Sequence, residues 1–258
     1  MFALRAQANR SVDDRQPPVV TATTVAPQGT QAPDLLGWLR AVVSVAFVLA
    51  LVLGLISANL RSLVTDRQFM LAGFRDNGVA QTTGLDDAQL GQIADAFIAY
   101  FQSPPGRLQM DVVVNGAHRP LFNEREVEHM EDVQRLIQLF LNAILLVAVV
   151  CALRVVTALA LERSVVAFGR DMMLAVAVMV AIVILVGVLS LADFTELWTR
   201  FHQVAFRNDL WQLDPSRDYL IMLFPEPFWY ASTIRLATGI AVESLLLAVA
   251  GFLAWRFG

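Results

Sequence analysis

The stretch that decides the fold class is MMLAVAVMVAIVILVGVLSLA, which covers Met172–Ala192 and contains no charged residue. A helix needs about 20 apolar residues to cross the hydrocarbon core of a bilayer, so this stretch alone predicts a membrane span. Three further stretches have the same character: Leu36–Leu60, Leu136–Leu161 and Leu236–Trp255. The composition agrees, since 57% of the 258 residues are hydrophobic and only 16% are charged. We therefore predict an all-α membrane protein with four transmembrane helices.

Four spans place both ends of the chain on the same side of the membrane. Positive residues near short loops favour the cytoplasmic side, and the short second connection is surrounded by Arg154, Arg163 and Arg170. The two long connections, 61–135 and 193–235, carry more acidic than basic residues. We therefore predict a multi-pass protein of the cell membrane, with cytoplasmic termini and with both long connections outside.

The N-terminal segment 1–34 differs in composition from the rest of the chain. It is rich in Pro, Gln, Thr and Val without an apolar period, which predicts a disordered cytoplasmic tail before a membrane domain at 35–258. The first span has full length, unlike the short apolar core of a signal peptide. Because Ser57-Ala58 resembles a cleavage site, a cleaved three-helix product stays open as an alternative.

The connection 61–135 contains secondary-structure signals of its own. Asp86 is placed to cap a helix at Asp87–Phe101, in which apolar residues recur at helical spacing. Leu108–Val114 and Ala117–Phe122, separated by Asn-Gly, predict a β-hairpin. We therefore predict a small extracytoplasmic α+β domain that contains a helix and a hairpin.

The connection 193–235 is crowded with aromatic residues, which alternate with Arg and Asp. Amphipathic aromatic side chains prefer the head-group level of a bilayer. We therefore predict an interfacial, aromatic-rich loop that lies along the outer surface of the membrane. A simple anchor and a lid over a lipid-binding cleft both fit this pattern.

Two of the three histidines occupy equivalent places beside the membrane. His129 lies about two turns before the second span, and His202 lies about two turns after the third. Trp198 and Phe206 share a helix face with His202. Imidazole titrates near neutral pH and is the usual side chain for proton transfer. A histidine in a surface ion pair is the alternative interpretation, and the equivalent placement of two favours a functional site.

The surroundings of His129 carry several groups that suit an active histidine. Asn123 and Glu126 have the spacing of a capping box, which opens a helix that continues into the second span. On that helix Arg125, Glu126 and Asp132 share a face with His129. Because a carboxylate can orient an imidazole and stabilise its charged form, we predict that role for Glu126 or Asp132.

Other constellations point less clearly to chemistry. Glu243 lies near the middle of the fourth span, where an ionisable group is unfavourable and suggests function, although a hydrogen-bonded core residue is as good an interpretation. Glu126-x-x-His129 is only half of a di-iron carboxylate pattern, because such a site needs the motif twice and two further carboxylates. We therefore predict no metal, and we predict no other cofactor. No HExxH, GxSxG or P-loop sequence occurs. Scattered arginines without a basic cluster argue against a nucleic-acid partner. His118 and Cys151 are interpreted as structural.

Two long stretches resemble a known family. FNEREVEHMEDV (Phe122–Val133) and FHQVAFRNDLWQLDPSRDYLIMLFPEPFW (Phe201–Trp229) are similar to motifs of the lipoprotein intramolecular transacylases. The likeness covers the chain from about Leu35 to its end. This resemblance implies transfer of the sn-2 acyl chain of a diacylglyceryl lipoprotein to the α-amine of its own N-terminal cysteine, which leaves a lyso-form lipoprotein.

The resemblance also implies a site and partners. The family's essential histidines fall on His129 and His202, which are expected to be catalytic. Residues expected to orient groups or bind substrate are Asn123, Glu126, Met130, Asp132, Asn208, Asp209 and Trp211. We add Arg125 or Asn208 as a donor to the reaction's oxyanion. The expected partners are diacylglyceryl-modified lipoproteins and membrane lipids, and the sequence does not indicate the oligomeric state. The alternatives are a non-catalytic lipid- or lipoprotein-binding membrane protein and, third, a solute transporter.

Overall fold

The computed structural model describes residues 35–114 and 116–258, with the side chain of Val114 left out. The predicted tail, 1–34, and Asn115 of the hairpin turn therefore lie outside the described residues. Four helices are long and apolar enough to cross a membrane, and they contain the four predicted spans. They are α1 (Leu35–Val64), α5 (Glu124–Val156), α6 (Val166–Ala192) and α9 (Glu226–Phe257). The prediction of a helical membrane protein with four transmembrane helices is confirmed.

Helix α5 is longer than a bilayer requires. It continues through a π-helical turn, Thr157–Glu162, so that the helical segment comprises 39 residues from Glu124 to Glu162. At 1.5 Å per residue this segment is about 58 Å long, against roughly 30 Å of hydrocarbon. Its polar first turns, Glu124–Arg135, therefore stand outside the membrane and lead directly into the second span, as the capping box at Asn123 predicts.

Glycines allow the membrane helices to approach one another closely. A Cβ atom built on Gly169 of α6 would lie 2.5 Å from the carbonyl oxygen of Gly251 in α9, closer than real Cβ contacts come. A Cβ atom on Gly54 of α1 would lie 2.9 Å from Cγ1 of Val147 in α5. Small residues at such crossings let helix backbones pack without a hydrophobic driving force.

The short second connection contains a buried charge that the sequence did not reveal. Arg154 is fully buried, and its guanidinium forms salt bridges with Asp171 at 2.8 Å and with Glu162 at 3.3 Å. Its charge is therefore compensated inside the protein. Among the three arginines of this connection, only Arg163 and Arg170 are exposed and can contribute to a positive-inside bias.

The first long connection folds into a small domain of helices and a hairpin. The predicted helix is α4 (Asp87–Gln102), and the predicted hairpin consists of β1 (Asp111–Val114) and β2 (Ala117–Pro120), paired antiparallel. Two helices that we did not predict precede them, α2 (Arg67–Asp76) and α3 (Val79–Thr83). These helices bury only two residues each, which leaves little apolar periodicity to detect.

The second long connection divides into two parts. Its first part contains α7 (Phe194–Ala205), which keeps apolar residues exposed, with Val204 89% and Phe201 42% accessible. This exposed face is the part that suits the membrane interface. The second part contains α8 (Tyr219–Leu223) and packs into the outer domain, where Phe224 lies 4.9 Å from Phe97 between ring centroids. One hydrophobic core therefore joins both long connections.

Candidate active site

The first turns of α5 and the end of α7 bring two histidines together. The ring centroids of His129 and His202 lie 6.0 Å apart, and the ring planes meet at 35°. Both side chains are buried, with exposed fractions of 5% and 9%. Residues 73 positions apart in the sequence thus form one compact pair outside the membrane spans.

A backbone carbonyl orients His202. Its Nδ1 atom lies 2.8 Å from the carbonyl oxygen of Trp198, one turn earlier in α7. A carbonyl oxygen only accepts hydrogen bonds, so Nδ1 carries the proton, and the lone pair of the neutral ring is on Nε2. The ring is enclosed by Trp198, Phe201, Phe206 and Trp211, whose ring centroids lie 4.7 to 5.6 Å away. This aromatic cage excludes water from the imidazole.

His129 is buried without such an anchor. The ring of Phe206 meets it edge to face at 5.1 Å, and its Nδ1 atom has no hydrogen-bond partner within the described residues. Burial, together with the neighbouring His202, lowers the pKa of His129 to about 4. Burial also lowers the pKa of His202, against the hydrogen bond to Trp198, which raises it. Both imidazoles are therefore neutral at pH 7.

The lowered pKa values predict that acid destabilises the fold. In the unfolded chain a histidine titrates near 6.5, whereas the native rings stay neutral to a pH of about 4 for His129. Between these values the unfolded state binds more protons, so the free energy of unfolding falls as the pH falls. Thermal unfolding at pH 7 and at about pH 5 measures this loss. The double variant His129→Gln/His202→Gln should lose less stability over the same range, and an equal loss would contradict the prediction.

The two carboxylates predicted to orient an imidazole have other partners. Asp132 accepts hydrogen bonds from Nδ2 of Asn208 at 2.8 Å and from Nη1 of Arg135 at 2.9 Å. Glu126 accepts from the backbone N–H groups of Asn123 at 2.8 Å and of Leu220 at 2.6 Å. In the described part of the chain neither carboxylate bonds a histidine. A shared helix face placed these groups near His129 but did not reveal their competing donors, which are side chains for Asp132 and backbone N–H groups for Glu126.

The predicted capping box forms the core of a polar junction. The backbone N–H of Glu126 donates to Oδ1 of Asn123, which completes the box. Nδ2 of Asn123 donates to Oδ1 of Asp218 at 2.9 Å, just before α8. Through Asn123 and Glu126, the start of α5 is thus fastened to the second long connection.

Replacing Glu126 by alanine is expected to destabilise this junction. The change leaves the buried N–H of Leu220 without an acceptor, at a cost of about 1–3 kcal/mol. It also removes the acceptor of the part-buried N–H of Asn123. Thermal unfolding of the purified protein measures the loss. Glu128→Ala, an exposed position on the same helix turn, is the matched control and should leave the melting temperature within a degree or two of wild type, about the size of a surface effect. Equal melting temperatures for both variants would contradict the role of Glu126.

The segment after α7 covers the histidine pair. Asn208 is held by Asp132, and Trp211 Nε1 donates to the carbonyl oxygen of Asn208 at 3.0 Å. Arg125 donates to the carbonyl oxygen of Asp209. An open cavity of about 520 Å³ lies against this segment and is lined by Gln203, Phe206, Arg207, Asn208, Asp209, Trp211 and Gln212. Five predicted site residues are therefore linked beside the histidine pair, and three of them, Asn208, Asp209 and Trp211, line the cavity.

Three predicted site residues have structural surroundings, and one residue that contacts the histidines was missed. Met130 is buried in the hydrophobic core of the outer domain, so its side chain supports the fold. Asn123 lies at the capping junction, as does Glu126. Phe206, which contacts both histidine rings, was not among the predicted site residues. Phe206 was expected to share a helix face with His202, whereas in the structure it has an extended backbone directly after α7 and contacts both rings from there.

No group of three or more potential metal ligands occurs in residues 35–114 and 116–258. The chemistry that this arrangement offers is proton transfer by two neutral imidazoles in a site from which aromatic rings exclude water. Nε of Arg125 adds a donor, since it is buried and has no partner in the described structure.

Comparison with known proteins identifies the family to which the chain belongs. A family model described as lipoprotein intramolecular transacylase Lit matches residues 45–229, which include both histidines. An uncharacterised protein of Aquifex aeolicus (strain VF5) is 27% identical over 137 residues, 53% of this chain. The chain matches only 59% of that relative's length.

Solved structures of Lit from Bacillus cereus share the fold. One is 14% identical, with a TM-score of 0.67 over 83% of this chain and 94% of that chain. A variant of the Bacillus protein with a histidine changed to arginine is 13% identical, with a TM-score of 0.67 over 85% and 93%. Since the family model covers most of the chain, this protein belongs to the lipoprotein intramolecular transacylase family.

Proposed function

We propose that this protein transfers the sn-2 acyl chain of a diacylglyceryl lipoprotein to the α-amine of its N-terminal cysteine, leaving a lyso-form lipoprotein. The observation that carries the proposal is the buried pair of His129 and His202 within the family-matched region. A buried imidazole nitrogen without a hydrogen-bond partner costs about 1–3 kcal/mol of folding free energy. Lipid binding alone does not require such a group. The unpaired Nδ1 of His129 therefore favours catalysis over the non-catalytic alternative.

The reaction requires proton transfer and little else from the protein. The amine nitrogen attacks the ester carbonyl carbon, the C–N bond forms, and the bond from that carbon to the sn-2 oxygen breaks. One proton leaves the nitrogen, and one is delivered to the departing oxygen. Amine and ester belong to the same molecule, so they are already tethered and no covalent enzyme intermediate is needed.

We assign the proton transfers by the partners of each ring. The carbonyl of Trp198 stabilises the charge that His202 gains when its Nε2 accepts a proton, which suits the base that acts on the amine. His129 is left to serve the departing oxygen. The free Nε–H of Arg125 is the better donor to the oxyanion, because Nδ2 of Asn208 is already bonded to Asp132.

The setting of the site supports the rest of the proposal. The protein is a multi-pass membrane protein, and its histidines lie beyond the spans, at one end of α5 and past α6. We place this end outside the cell membrane and both termini in the cytoplasm. The partners are then diacylglyceryl lipoproteins and the surrounding lipids, and the membrane domain at 35–258 carries the activity.

Mass spectrometry of a lipoprotein's N-terminal lipopeptide tests the proposal. The lipoprotein is co-expressed with the wild-type protein, or with empty vector, in a host that cannot acylate the cysteine amine by its own enzyme. We expect an N-acyl, lyso-glyceryl peptide only when the protein is present. A diacylglyceryl peptide with a free amine, from membranes that contain the wild-type protein, would refute acyl transfer and leave lipid binding as the function.

A further inference from the structure

A cavity to which four polar residues contribute lies between α1 and α9 and shares no lining residue with the histidine site. Its volume is about 390 Å³, and it is lined by Asn59, Ser62, Arg235, Leu236, Thr238 and Gly239. Polar and ionisable groups at membrane depth are unfavourable unless they line a cavity or pair with one another. We call this cavity the α1–α9 groove.

Asn59, which lines the groove, is the hydrogen-bond partner of the mid-span carboxyl group of Glu243. Nδ2 of Asn59 donates to Oε2 of Glu243 at 2.7 Å and to the carbonyl oxygen of Leu55 at 2.9 Å. Asn59 fits there because residue 239 is glycine, since a Cβ atom at that position would lie 2.1 Å from Oδ1 of Asn59. Glu243 of α9 is thus hydrogen-bonded to α1 through Asn59, a residue that lines the groove.

The groove lies at the level where α9 enters the membrane. Arg235 precedes Glu243 by eight residues, so it lies about 12 Å higher along the helix, near the head groups. Thr238 is exposed on the lipid-facing side of α9, since Ile234 and Val242, one turn on either side of it, are 47% and 56% exposed apolar residues. A groove that opens beside such residues is accessible from the bilayer.

Hydrogen-bond donors at the mouth of the groove are suited to an anion. One nitrogen of the Arg235 guanidinium is bonded to Asp66, and the guanidinium lies 4.7 Å from the ring centroid of Phe69. Its Nε and Nη1 atoms have no partner among the described residues. Ser62 adds an exposed hydroxyl. A fixed guanidinium with free N–H groups binds phosphate oxygens by charge-assisted hydrogen bonds.

We infer that the α1–α9 groove binds the phosphate head group of a membrane phospholipid, with Arg235 and Ser62 on the phosphate and Thr238 at the lipid-facing entrance. The lipid holds α1 and α9 together at the outer surface. This site is separate from acyl transfer, and its occupancy does not depend on the activity proposed above.

Native mass spectrometry of the full-length, detergent-purified protein tests the site. The protein is titrated with phosphatidylglycerol, with diacylglycerol of the same acyl chains, and with inorganic phosphate. We expect one phosphatidylglycerol to bind at least about tenfold more tightly than diacylglycerol, which is the effect of about 1.4 kcal/mol of head-group recognition. Equal binding of the two lipids would overturn the inference. Binding of inorganic phosphate with equal affinity would also overturn it, by assigning the groove to a soluble anion.

Two pairs of variants locate the bound lipid. Thr238→Phe fills the groove without touching the contact between Arg235 and Asp66, and Val242→Phe places the same side chain one turn away. Arg235→Gln removes the charge, and Arg200→Gln removes an exposed arginine of α7 that also has a carboxylate partner. We expect phosphatidylglycerol affinity to fall about tenfold in the first member of each pair only. Unchanged affinity in Thr238→Phe, at an unchanged melting temperature, would refute the site.

Discussion

Alanine in place of His129 or His202 is expected to lower the rate of acyl transfer by about 10²–10⁴-fold, the range that one positioned proton-transfer group contributes. The measured quantity is the amount of N-acyl, lyso-glyceryl lipopeptide formed per unit time at matched protein levels in the membrane. In the proposed mechanism each histidine serves a different proton transfer, so the remaining imidazole does not replace the one that is lost. We therefore expect a severe loss from each single change.

The double variant shows whether His129 and His202 act together or independently in acyl transfer. Groups that act as a unit are strongly non-additive, so His129→Ala/His202→Ala should be little slower than the worse single variant. His118→Ala is the matched control, because His118 is an exposed residue of β2 outside the site. It should retain wild-type activity. Single variants of His129 and His202 that keep full activity, in folded protein, would refute their catalytic assignment.

A loss of folding must be distinguished from a loss of chemistry. His129 packs against Phe206, so alanine also leaves a void beside the aromatic cage. Glutamine retains more of the volume and a hydrogen-bonding group, and it does not titrate near neutral pH. His129→Gln and His202→Gln should therefore be as inactive as the alanine variants while unfolding closer to the wild-type temperature. Recovery of activity in the glutamine variants would indicate a packing role.

Sequence signals predicted the elements whose stability is local. The four spans consist almost wholly of apolar residues, and a bilayer accepts such a segment only as a helix. The cap at Asp86 and the capping box at Asn123 depend on residues three positions apart, so short-range spacing was sufficient. Helix α2 was not predicted, because its stability depends on residues that are distant in the sequence. For example, Phe74 of α2 packs against Phe224.

The sequence pointed to the two histidines that the structure brings together, but it did not indicate the hydrogen bonds of the residues around them. Titratable residues beside the membrane pointed to His129 and His202, because few such groups have reason to lie there. The anchor of His202 is a backbone carbonyl, which every residue carries and no sequence pattern marks. Glu126 was expected to orient an imidazole, but its carboxylate accepts a hydrogen bond from the backbone N–H of Leu220, 94 positions away. Long-range contacts of this kind become visible only when the chain is folded.

Arg154 gives the second large effect, this time on stability. Its side chain is 1% exposed, and it neutralises Asp171 and Glu162, which are 5% and 13% exposed. Arg154→Ala leaves two carboxylates without a compensating charge, and breaking a buried pair in this way costs about 3–5 kcal/mol. Unfolding of the detergent-solubilised protein by a denaturing detergent, followed by circular dichroism, measures the loss.

Two further variants test whether uncompensated charge causes the loss of stability in Arg154→Ala. One changes a neighbouring exposed arginine, and the other removes all three buried charges. Arg170 lies 3.9 Å from the same Asp171 but is 69% exposed, so Arg170→Ala should cost no more than about 1 kcal/mol. If the penalty comes from uncompensated charge, combining Arg154→Met with Asp171→Val and Glu162→Met should restore most of the stability, because a buried ion pair can be replaced by well-packed apolar residues of similar volume. A triple variant as unstable as Arg154→Ala would instead assign the effect to lost packing at the start of the π-helical turn.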